Sequence, residues 1–133
     1  MRKCLSLLFL FLISNVLSQE NDYFIDANFD LNNRIIEIYQ TIDFTNTTSN
    51  NLDYIILNDW AHSYFRPTTP LGKRLSEDFT LNFQRSTKNQ RGFTTIIDIK
   101  SDSTILDHTR LKENIDLVKV KLENLLKPNE KIT

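Results

Sequence analysis

The stretch RIIEIYQTIDFTNTTSNNLDYIIL, residues 34–57, decides the fold of this chain. Its first half alternates between two sides. One side carries Ile36, Ile38, Ile42 and Phe44, with Gln40 as the exception, and the other carries Glu37, Tyr39, Thr41, Asp43 and Thr45. A period of two residues is typical of a half-buried strand, because successive side chains leave opposite faces. Turn formers fill residues 46–51 before a second apolar run at 52–57, so we expect a β-hairpin in the core of a β-rich domain.

Residues 23–31 predict the preceding strand and its register. Its apolar face consists of Tyr23, Ile25, Ala27, Phe29 and Leu31. Asn32 and Asn33 follow, and asparagine tolerates the left-handed conformation that a two-residue hairpin turn requires. Such a turn places Phe29 opposite Ile36 and brings the apolar faces of the two strands together. The other expected pairs are Ala27 with Ile38 and Tyr23 with Ile42.

The rest of the chain predicts further strands and one short helix. Thr69 and Pro70 are typical of a helix N-cap and first position. An apolar residue then recurs every four positions, at Leu71, Leu75, Phe79 and Phe83, so we expect a helix at about 70–83. We expect strands at 92–100, 104–107 and 115–122, with a polar connector at 108–114. Residues 132–133 look like the opening of another strand, so the chain looks truncated. The predicted class is mainly β, an antiparallel sheet or sandwich with one short helix.

The N-terminus predicts a signal peptide. Arg2 and Lys3 precede an apolar stretch at 5–17, and Val16 and Ser18 are small enough for a cleavage site. The apolar stretch is shorter than the ~20 residues that span a bilayer. We therefore expect a signal peptide at 1–18 and a β-domain at 19–133, with an uncleaved anchor as the alternative. The domain would be exported, to the periplasm or outside the cell, and would meet the membrane only during export.

Composition excludes several functional classes. Removing 18 of the 133 residues leaves 115, which is enough for one domain. The loss of Arg2 and Lys3 takes the 16 basic residues to 14, against 17 acidic ones. Nucleic-acid binding needs concentrated positive charge, so we expect no nucleic-acid partner. Cys4 is the single cysteine and leaves with the signal, so the mature domain has no disulfide and no thiolate metal site.

The order of these features resembles the N-terminal domain of the M1 family of zinc metallopeptidases, the gluzincin aminopeptidases, in the form found in Bacteroidetes. The segments that carry the resemblance are the opening hairpin, LNDW at 57–60, YF at 64–65, PLGKRL at 70–75, RG at 91–92 and LLKPNEKI at 125–132. The resemblance covers roughly residues 23–133. The sequence departs from the family pattern at Asn129, where the family has glycine.

The resemblance implies a curved, saddle-like β-sheet domain that packs against a thermolysin-like catalytic domain of the same polypeptide. The parent enzyme would remove N-terminal residues from peptides, with zinc held by His-Glu-x-x-His and a more distant Glu. Neither this motif nor the Gly-x-Met-Glu-Asn segment that grips the substrate amine is present, because His62 precedes Ser63 and His108 precedes Thr109. The resemblance therefore implies no catalytic, cofactor-binding or metal-binding residue in this chain, and zinc only in the full-length enzyme.

Five groups of residues have both a functional and a structural interpretation, and we favour the structural one in each. The possible metal ligands are His62 and His108, and the possible acid/base pair or calcium site consists of Asp26, Asp30, Asp43, Asp53 and Asp59. The possible basic contact surface consists of Lys73, Arg74, Arg85, Lys88 and Arg91. The possible sugar-stacking platform consists of Trp60, Tyr64 and Phe65, and Asn46-Thr47-Thr48 matches a glycosylation sequon. The structural interpretations are solvated strand and helix faces, an aromatic cluster on the sheet or at a domain interface, and a hairpin turn.

Two other functions remain open from the residues alone. One is a stand-alone secreted β-sandwich that binds carbohydrate or protein. The other is a folding or assembly factor that uses an open sheet edge.

Overall fold

Most of the regular structure in this chain is β-strand. The computed structural model describes residues 21–79 and 81–133, so the signal peptide expected at 1–18 lies outside the described residues. The strands are β1 (Asp22–Asp30), β2 (Ile35–Thr45), β3 (Leu52–Asn58), β4 (Lys100–Ser101), β5 (Thr104–Ile105), β6 (His108–Arg110), β7 (Leu117–Leu126) and β8 (Lys131–Ile132). The helices are α1 (Pro70–Glu77) and α2 (Asn82–Arg85), with 3₁₀-helices at Trp60–Phe65 and Lys88–Gln90. None of the described helices is long or apolar enough to cross a bilayer.

The strands form three antiparallel sheets, with the orders β1-β2-β8, β3-β7-β6 and β4-β5. The predicted class, mainly β and antiparallel, is confirmed. The strand expected at 132–133 is present as β8, which pairs with the end of β2. The connector expected at 108–114 instead begins with strand β6, which pairs with β7.

The first hairpin has the predicted register but a different turn. Phe29 faces Ile36, and the expected Ala27–Ile38 and Tyr23–Ile42 pairs are also present. The last pair is Asp30 with Ile35, so the loop has four residues rather than two. Asp30 Oδ1 accepts hydrogen bonds from the backbone N–H groups of Asn32 and Asn33, both at 3.0 Å. The left-handed residue is Arg34, with φ 57°, and not an asparagine.

The predicted pairing of the 34–45 and 52–57 segments is wrong. Strand β2 lies in the sheet with β1 and β8, whereas β3 pairs with β7. Residues 46–51 therefore carry the chain from one sheet to another instead of turning it back. A run of turn formers has the same composition in both cases, so the pattern alone does not distinguish a hairpin from a change of sheet.

The core lies on one face of β7. Val118, Val120, Leu122 and Leu126 are buried there together with Leu106. The strand expected at 115–122 is therefore present, although it begins at Leu117 and extends to Leu126. Side chains that are partly buried against this core are Phe44, Leu52, Ile55, Leu57, Ile96, Ile99 and Ile132. The 34–57 segment is expected in the core. Strand β3 packs against the core through Leu52, Ile55 and Leu57, whereas β2 reaches it only at Phe44.

The helix expected at 70–83 is interrupted. Thr69 is the N-cap, because its Oγ1 accepts a hydrogen bond from the Gly72 N–H at 3.1 Å. Helix α1 ends at Glu77, and Phe79 adopts a left-handed conformation with φ 58° and is exposed. Gly72 is required by close packing, because a Cβ there would lie 2.1 Å from the Pro67 carbonyl oxygen.

The strand expected at 92–100 is present only at its end. Residues 92–99 have no strand pairing, and β4 begins at Lys100. Beyond this two-residue ladder, the Leu106 N–H donates to the Ile99 carbonyl oxygen at 2.8 Å. Thr94 is held instead by side chains from other elements, those of Asp59, His62 and Arg110.

Candidate functional site

A polar cluster joins the end of β3 to β6 and to the 92–99 segment. Asp59 follows β3, and its Oδ2 lies 2.5 Å from Nη2 of Arg110 in β6. Thr94 Oγ1 also donates a hydrogen bond to Asp59 Oδ2, and Arg110 Nη1 donates to the Ile115 carbonyl oxygen at 3.0 Å. The Asp59 and Arg110 side chains are only 18% and 23% exposed. The cluster therefore holds three separate chain segments together with a half-buried ion pair.

His62 completes this cluster from the first 3₁₀-helix. Its Nδ1 lies 2.9 Å from the Thr94 carbonyl oxygen and 3.3 Å from the Thr94 backbone nitrogen. The ring stacks on Phe65, with centroids 5.3 Å apart. Burial lowers the pKa of His62, and the nearby Arg110 guanidinium lowers it further, against a smaller opposing effect of the Thr94 carbonyl. The folded environment therefore favours the neutral form of the ring more than water does.

The cluster does not fit a metal ion. Nδ1 of His62 is engaged by Thr94, and the Arg110 guanidinium would repel a cation at this place. His108 lies in the β6–β7 ladder opposite Val120. Across residues 21–79 and 81–133, no three His, Cys, Asp or Glu side chains are grouped as a metal site would need. These residues therefore do not fit the zinc that the family resemblance implies for the parent enzyme.

The acidic residues expected as candidates are distributed over separate places. Asp26 lies in β1 and Asp30 binds the hairpin turn. Asp43 lies 2.6 Å from Lys131 Nζ and accepts a hydrogen bond from Thr133. The Lys131 bond, followed by the Thr133 bond, lowers the pKa of Asp43. Asp53 lies on the outer face of β3. Asp30, Asp43 and Asp59 have hydrogen-bond partners in separate parts of the fold, which is not the close pairing that acid/base chemistry needs.

The basic residues around α1 and the following loop do not form one built site. Arg74 is largely exposed, and its Nε is 3.9 Å from Asp78 Oδ2, a long surface pair of small energetic value. Arg91 donates from Nη1 to the Ser86 carbonyl oxygen at 2.8 Å. Lys73, Arg85 and Lys88 are exposed. This arrangement agrees with a solvated surface.

The aromatic residues of the first 3₁₀-helix are only partly buried. Phe65 packs edge-on against Phe93, with ring centroids 6.0 Å apart, and Tyr64 does the same with Phe83 at 5.9 Å. Trp60 is 54% exposed. The expectation that these rings pack on the sheet is therefore wrong for Trp60, which presents a large apolar surface to solvent.

Asn46 of the sequon is fully buried. Its Nδ2 donates to the carbonyl oxygens of Asn50 (2.8 Å) and Leu126 (2.9 Å). Its Oδ1 accepts from both N–H and Oγ1 of Thr48, at 3.0 and 2.7 Å. The amide therefore connects the ends of β2 and β7 and is closed to a glycosyltransferase in the folded chain.

The outer face of the β3-β7-β6 sheet carries a shallow depression of about 320 Å³. Its lining residues are Asp53, Tyr54, Asp107, Thr109, Lys119 and Lys121. Lys119 Nζ lies 3.8 Å above the centre of the Tyr54 ring, so this ring face is occupied and is not free to stack on a sugar. Both charge signs line the depression, which gives it no evident preference for a charged ligand.

The first hairpin exposes apolar side chains that are not among those packed against the core of the described residues. One side of it, which we call the hairpin face, consists of Tyr23, Ile25, Ala27, Phe29, Ile36, Ile38, Gln40 and Ile42. Its large apolar side chains up to Ile38 are between 54% and 63% exposed. The opposite side, the acidic face, carries the five carboxylates of the hairpin together with the exposed Phe24, Ile35 and Tyr39; the carboxylates are those of Asp22, Asp26, Asp30, Glu37 and Asp43. The apolar pattern correctly predicted which residues share a face, but it did not show that the face lies uncovered.

Sequence reasoning missed two members of the polar cluster. Thr94 and Arg110 were read as parts of a strand and a connector, because they lie far along the chain from Asp59. Their local sequence contains no motif that predicts the contact. The shared sheet of β3, β7 and β6 brings Arg110 to Asp59, and Thr94 joins them through its own hydrogen bonds. Comparison of the chain with family models, with curated proteins and with solved structures found no match in any of the three.

Proposed function

We propose that this chain is the non-catalytic N-terminal β-domain of an exported M1-like zinc metallopeptidase. Its partner is the catalytic domain of the same polypeptide, which would hold the zinc and remove N-terminal residues from peptides. The contribution of this domain is structural: it covers one side of the active-site cleft and restricts access to the ends of peptide substrates. The place of action is the periplasm or the outside of the cell.

The uncovered hairpin face is the observation that supports this proposal most. A face with five large apolar side chains that are all more than half exposed is typical of a surface that another protein body covers. The buried core of the described residues is small, with Leu106 and four residues of β7. The resemblance to this enzyme family rests on the order in which the sequence segments from LNDW to LLKPNEKI follow one another along the chain.

The reading frame beyond Thr133 tests the proposal directly. We expect it to encode His-Glu-x-x-His followed by a more distant Glu. A stop codon within a few further strands would refute the proposal. If the downstream domain is present, its separately expressed form should bind the purified β-domain, and Ile38→Lys on the hairpin face should weaken binding more than Tyr39→Lys on the acidic face.

Activity provides an independent test. The purified β-domain should not hydrolyse aminoacyl-nitroanilides, because it contains no zinc motif and no candidate zinc ligands at His62 or His108. Chelator-sensitive hydrolysis by the β-domain alone would overturn the proposed role.

The exposed Trp60 supports a second candidate, a stand-alone secreted module that binds carbohydrate or protein. Its indole is 54% exposed at the start of the 3₁₀-helix Trp60–Phe65, and a sugar ring could stack on an exposed indole. Titration with oligosaccharides should then quench the fluorescence of the only tryptophan. Unchanged fluorescence across a panel of neutral and acidic oligosaccharides would reject the carbohydrate version.

A further inference from the structure

Positive charge is distributed unevenly along this chain. Residues 66–91, which we call the basic segment, hold six of the 14 basic residues beyond residue 18 but only two of the 17 acidic ones, which gives the segment a net charge of +4. The rest of the chain beyond residue 18 has eight basic and 15 acidic residues. One basic segment in an otherwise acidic chain indicates that this segment contacts an anionic surface.

The basic segment is a compact unit built on α1 and α2. In α2, Gln84 Nε2 donates a hydrogen bond to the carbonyl oxygen of Gly72 in α1, at 2.6 Å. At the end of the segment, Arg91 Nη1 donates to the Ser86 carbonyl oxygen at 2.8 Å. These contacts place the cations on one folded unit instead of along an extended loop. The exposed cations are Arg66, Lys73, Arg74, Arg85 and Lys88.

An apolar side chain projects from the connection between the two helices. Phe79 is 91% exposed, more than any other large apolar side chain that the structure describes. Leu81, just before α2, is 42% exposed. An aromatic ring stabilises a fold by burying apolar surface, so Phe79 adds almost nothing to the stability of this domain.

The backbone at Phe79 is also unfavourable for this residue type. Phe79 follows Asp78, the C-cap of α1, and has φ 58°. Glycine or asparagine usually occupies such a left-handed position after a helix, because a bulky side chain there is crowded by the backbone. A phenylalanine that gains no packing contact and has this steric cost is best explained by a contact outside the chain.

The combination of an exposed aromatic side chain with dispersed cations fits a phospholipid surface. Anionic headgroups spread their charge over the membrane, so cations can bind them without a built pocket. The boundary between headgroups and acyl chains accepts aromatic side chains. A protein partner would require a broad contact with several anchors around a buried centre, whereas this connection offers Phe79 and Leu81.

We propose that the basic segment binds the surface of a membrane that contains anionic phospholipids. Phe79 enters the headgroup region, and the surrounding cations lie against lipid phosphates. The proposal goes beyond the suggested metallopeptidase role and does not depend on it, because it uses only the charge and geometry of residues 66–91.

Vesicle binding tests this proposal. The mature protein, residues 19–133, should co-sediment with vesicles of equal parts phosphatidylcholine and phosphatidylglycerol. Its affinity for vesicles of phosphatidylcholine alone should be lower by about tenfold or more. Added salt should weaken binding to the anionic vesicles, because it screens the attraction between headgroups and exposed cations.

Phe79→Gly separates membrane insertion from a structural role. The change should weaken binding to the anionic vesicles by about fivefold or more, because it removes the inserted ring. The melting temperature should stay the same or rise, because glycine adopts the left-handed conformation without steric cost. Ile97, which is 86% exposed outside the basic segment, provides the matched control, and Ile97→Ser should change binding less than about twofold.

A tryptophan at position 79 reports insertion directly. In a Trp60→Phe background, the fluorescence of Phe79→Trp should shift to the blue with anionic vesicles, because the indole leaves water for the membrane interface. Ile97→Trp in the same background should show no shift.

Neutralised pairs of cations test the contribution of charge. Arg85→Gln combined with Lys88→Gln should weaken vesicle binding by about tenfold or more, since each cation near an anionic surface contributes about fivefold. Lys112→Gln combined with Lys127→Gln makes the same change in net charge outside the basic segment, and should weaken binding less than about threefold.

Three results would overturn the proposal. The first is equal binding to the two kinds of vesicle, or binding to neither. The second is a lower melting temperature for Phe79→Gly with unchanged vesicle affinity, which would assign the ring a packing role. The third is charge-dependent binding that Phe79→Gly leaves unchanged and that soluble heparin reproduces, which would make the segment a general polyanion site.

Discussion

Replacement of Asn46 tests whether a buried polar side chain holds the two main sheets together. Asn46→Ala removes four side-chain hydrogen bonds, two to the carbonyl oxygens of Asn50 and Leu126 and two from Thr48. The site is fully buried, so water does not replace the lost partners without a rearrangement. The exposed Asn51 of the same segment provides the matched control, Asn51→Ala.

The expected loss follows from the groups left behind. A net ~1 kcal/mol for each of the four hydrogen bonds gives about 4 kcal/mol for Asn46→Ala, before any penalty for the buried groups that lose their partners. Since domains of this kind are stable by only ~5–15 kcal/mol, this is a large fraction of the total. The melting temperature should fall by about 10–20 °C. Asn51→Ala should change stability by less than ~0.5 kcal/mol.

Urea unfolding followed by circular dichroism measures the difference. The midpoint for Asn46→Ala should fall with little change in slope, because the surface exposed on unfolding stays similar. Asn46→Asp should destabilise at least as much as Asn46→Ala at neutral pH, because it replaces the two N–H donors of the amide with a carboxylate that faces carbonyl oxygens. The destabilisation should be smaller at acidic pH, where the carboxyl group is protonated. A loss below ~1 kcal/mol for Asn46→Ala, or one equal to that of Asn51→Ala, would refute this reasoning.

Three other predictions concern the helix and the polar cluster. Gly72→Ala should destabilise by about 1–3 kcal/mol despite the better helix propensity of alanine, whereas Gly92→Ala, with nothing within 4 Å of the added Cβ, should be nearly neutral in the same thermal melts. The pKa of His62 is lowered below 6.5 in the folded state, so the unfolded chain takes up a proton at this residue before the folded one does. The urea midpoint should therefore be insensitive to this group above pH 6.5 and should fall as the pH drops below 6.5. His62→Gln should remove this part of the pH dependence, and an unchanged slope would contradict the assignment. Arg110→Met should cost about 2 kcal/mol because it leaves Asp59 without its cation, less than for a fully buried pair, while Arg110→Lys should be milder in denaturant titrations.

The pairing of β1 with β2 could be predicted because two independent signals agree. The alternation defines which residues share a face, and a short turn at Asn32 and Asn33 sets which residues are opposite. The turn itself could not be predicted in detail, since the carboxylate of Asp30 organises a four-residue loop that keeps the same register. Two loop geometries with one register leave no difference in the strand pattern.

Burial and long-range order could not be read from the chain in the same way. An apolar strand face tends to be buried. The alternation around Ile36 and Ile38 is the same whether the face packs on the core of this chain or on another protein domain. The helix predicted for 70–83 is interrupted at Phe79, whose backbone is left-handed. A four-residue apolar repeat does not reveal such an interruption. The cluster of Asp59 and Arg110 depends on sheet order, which has no local signature.

The four-residue loop at Asp30 has a consequence for how the chain folds. Asp30 pairs with Ile35 only five positions away, whereas Ile55 of β3 must find Val120 of β7 across more than sixty residues. Short-range closure takes about 1–10 μs, and such distant pairing is slower by orders of magnitude. Strands β1 and β2 should therefore pair early in folding, with their apolar face exposed to solvent, before β7 pairs with β3.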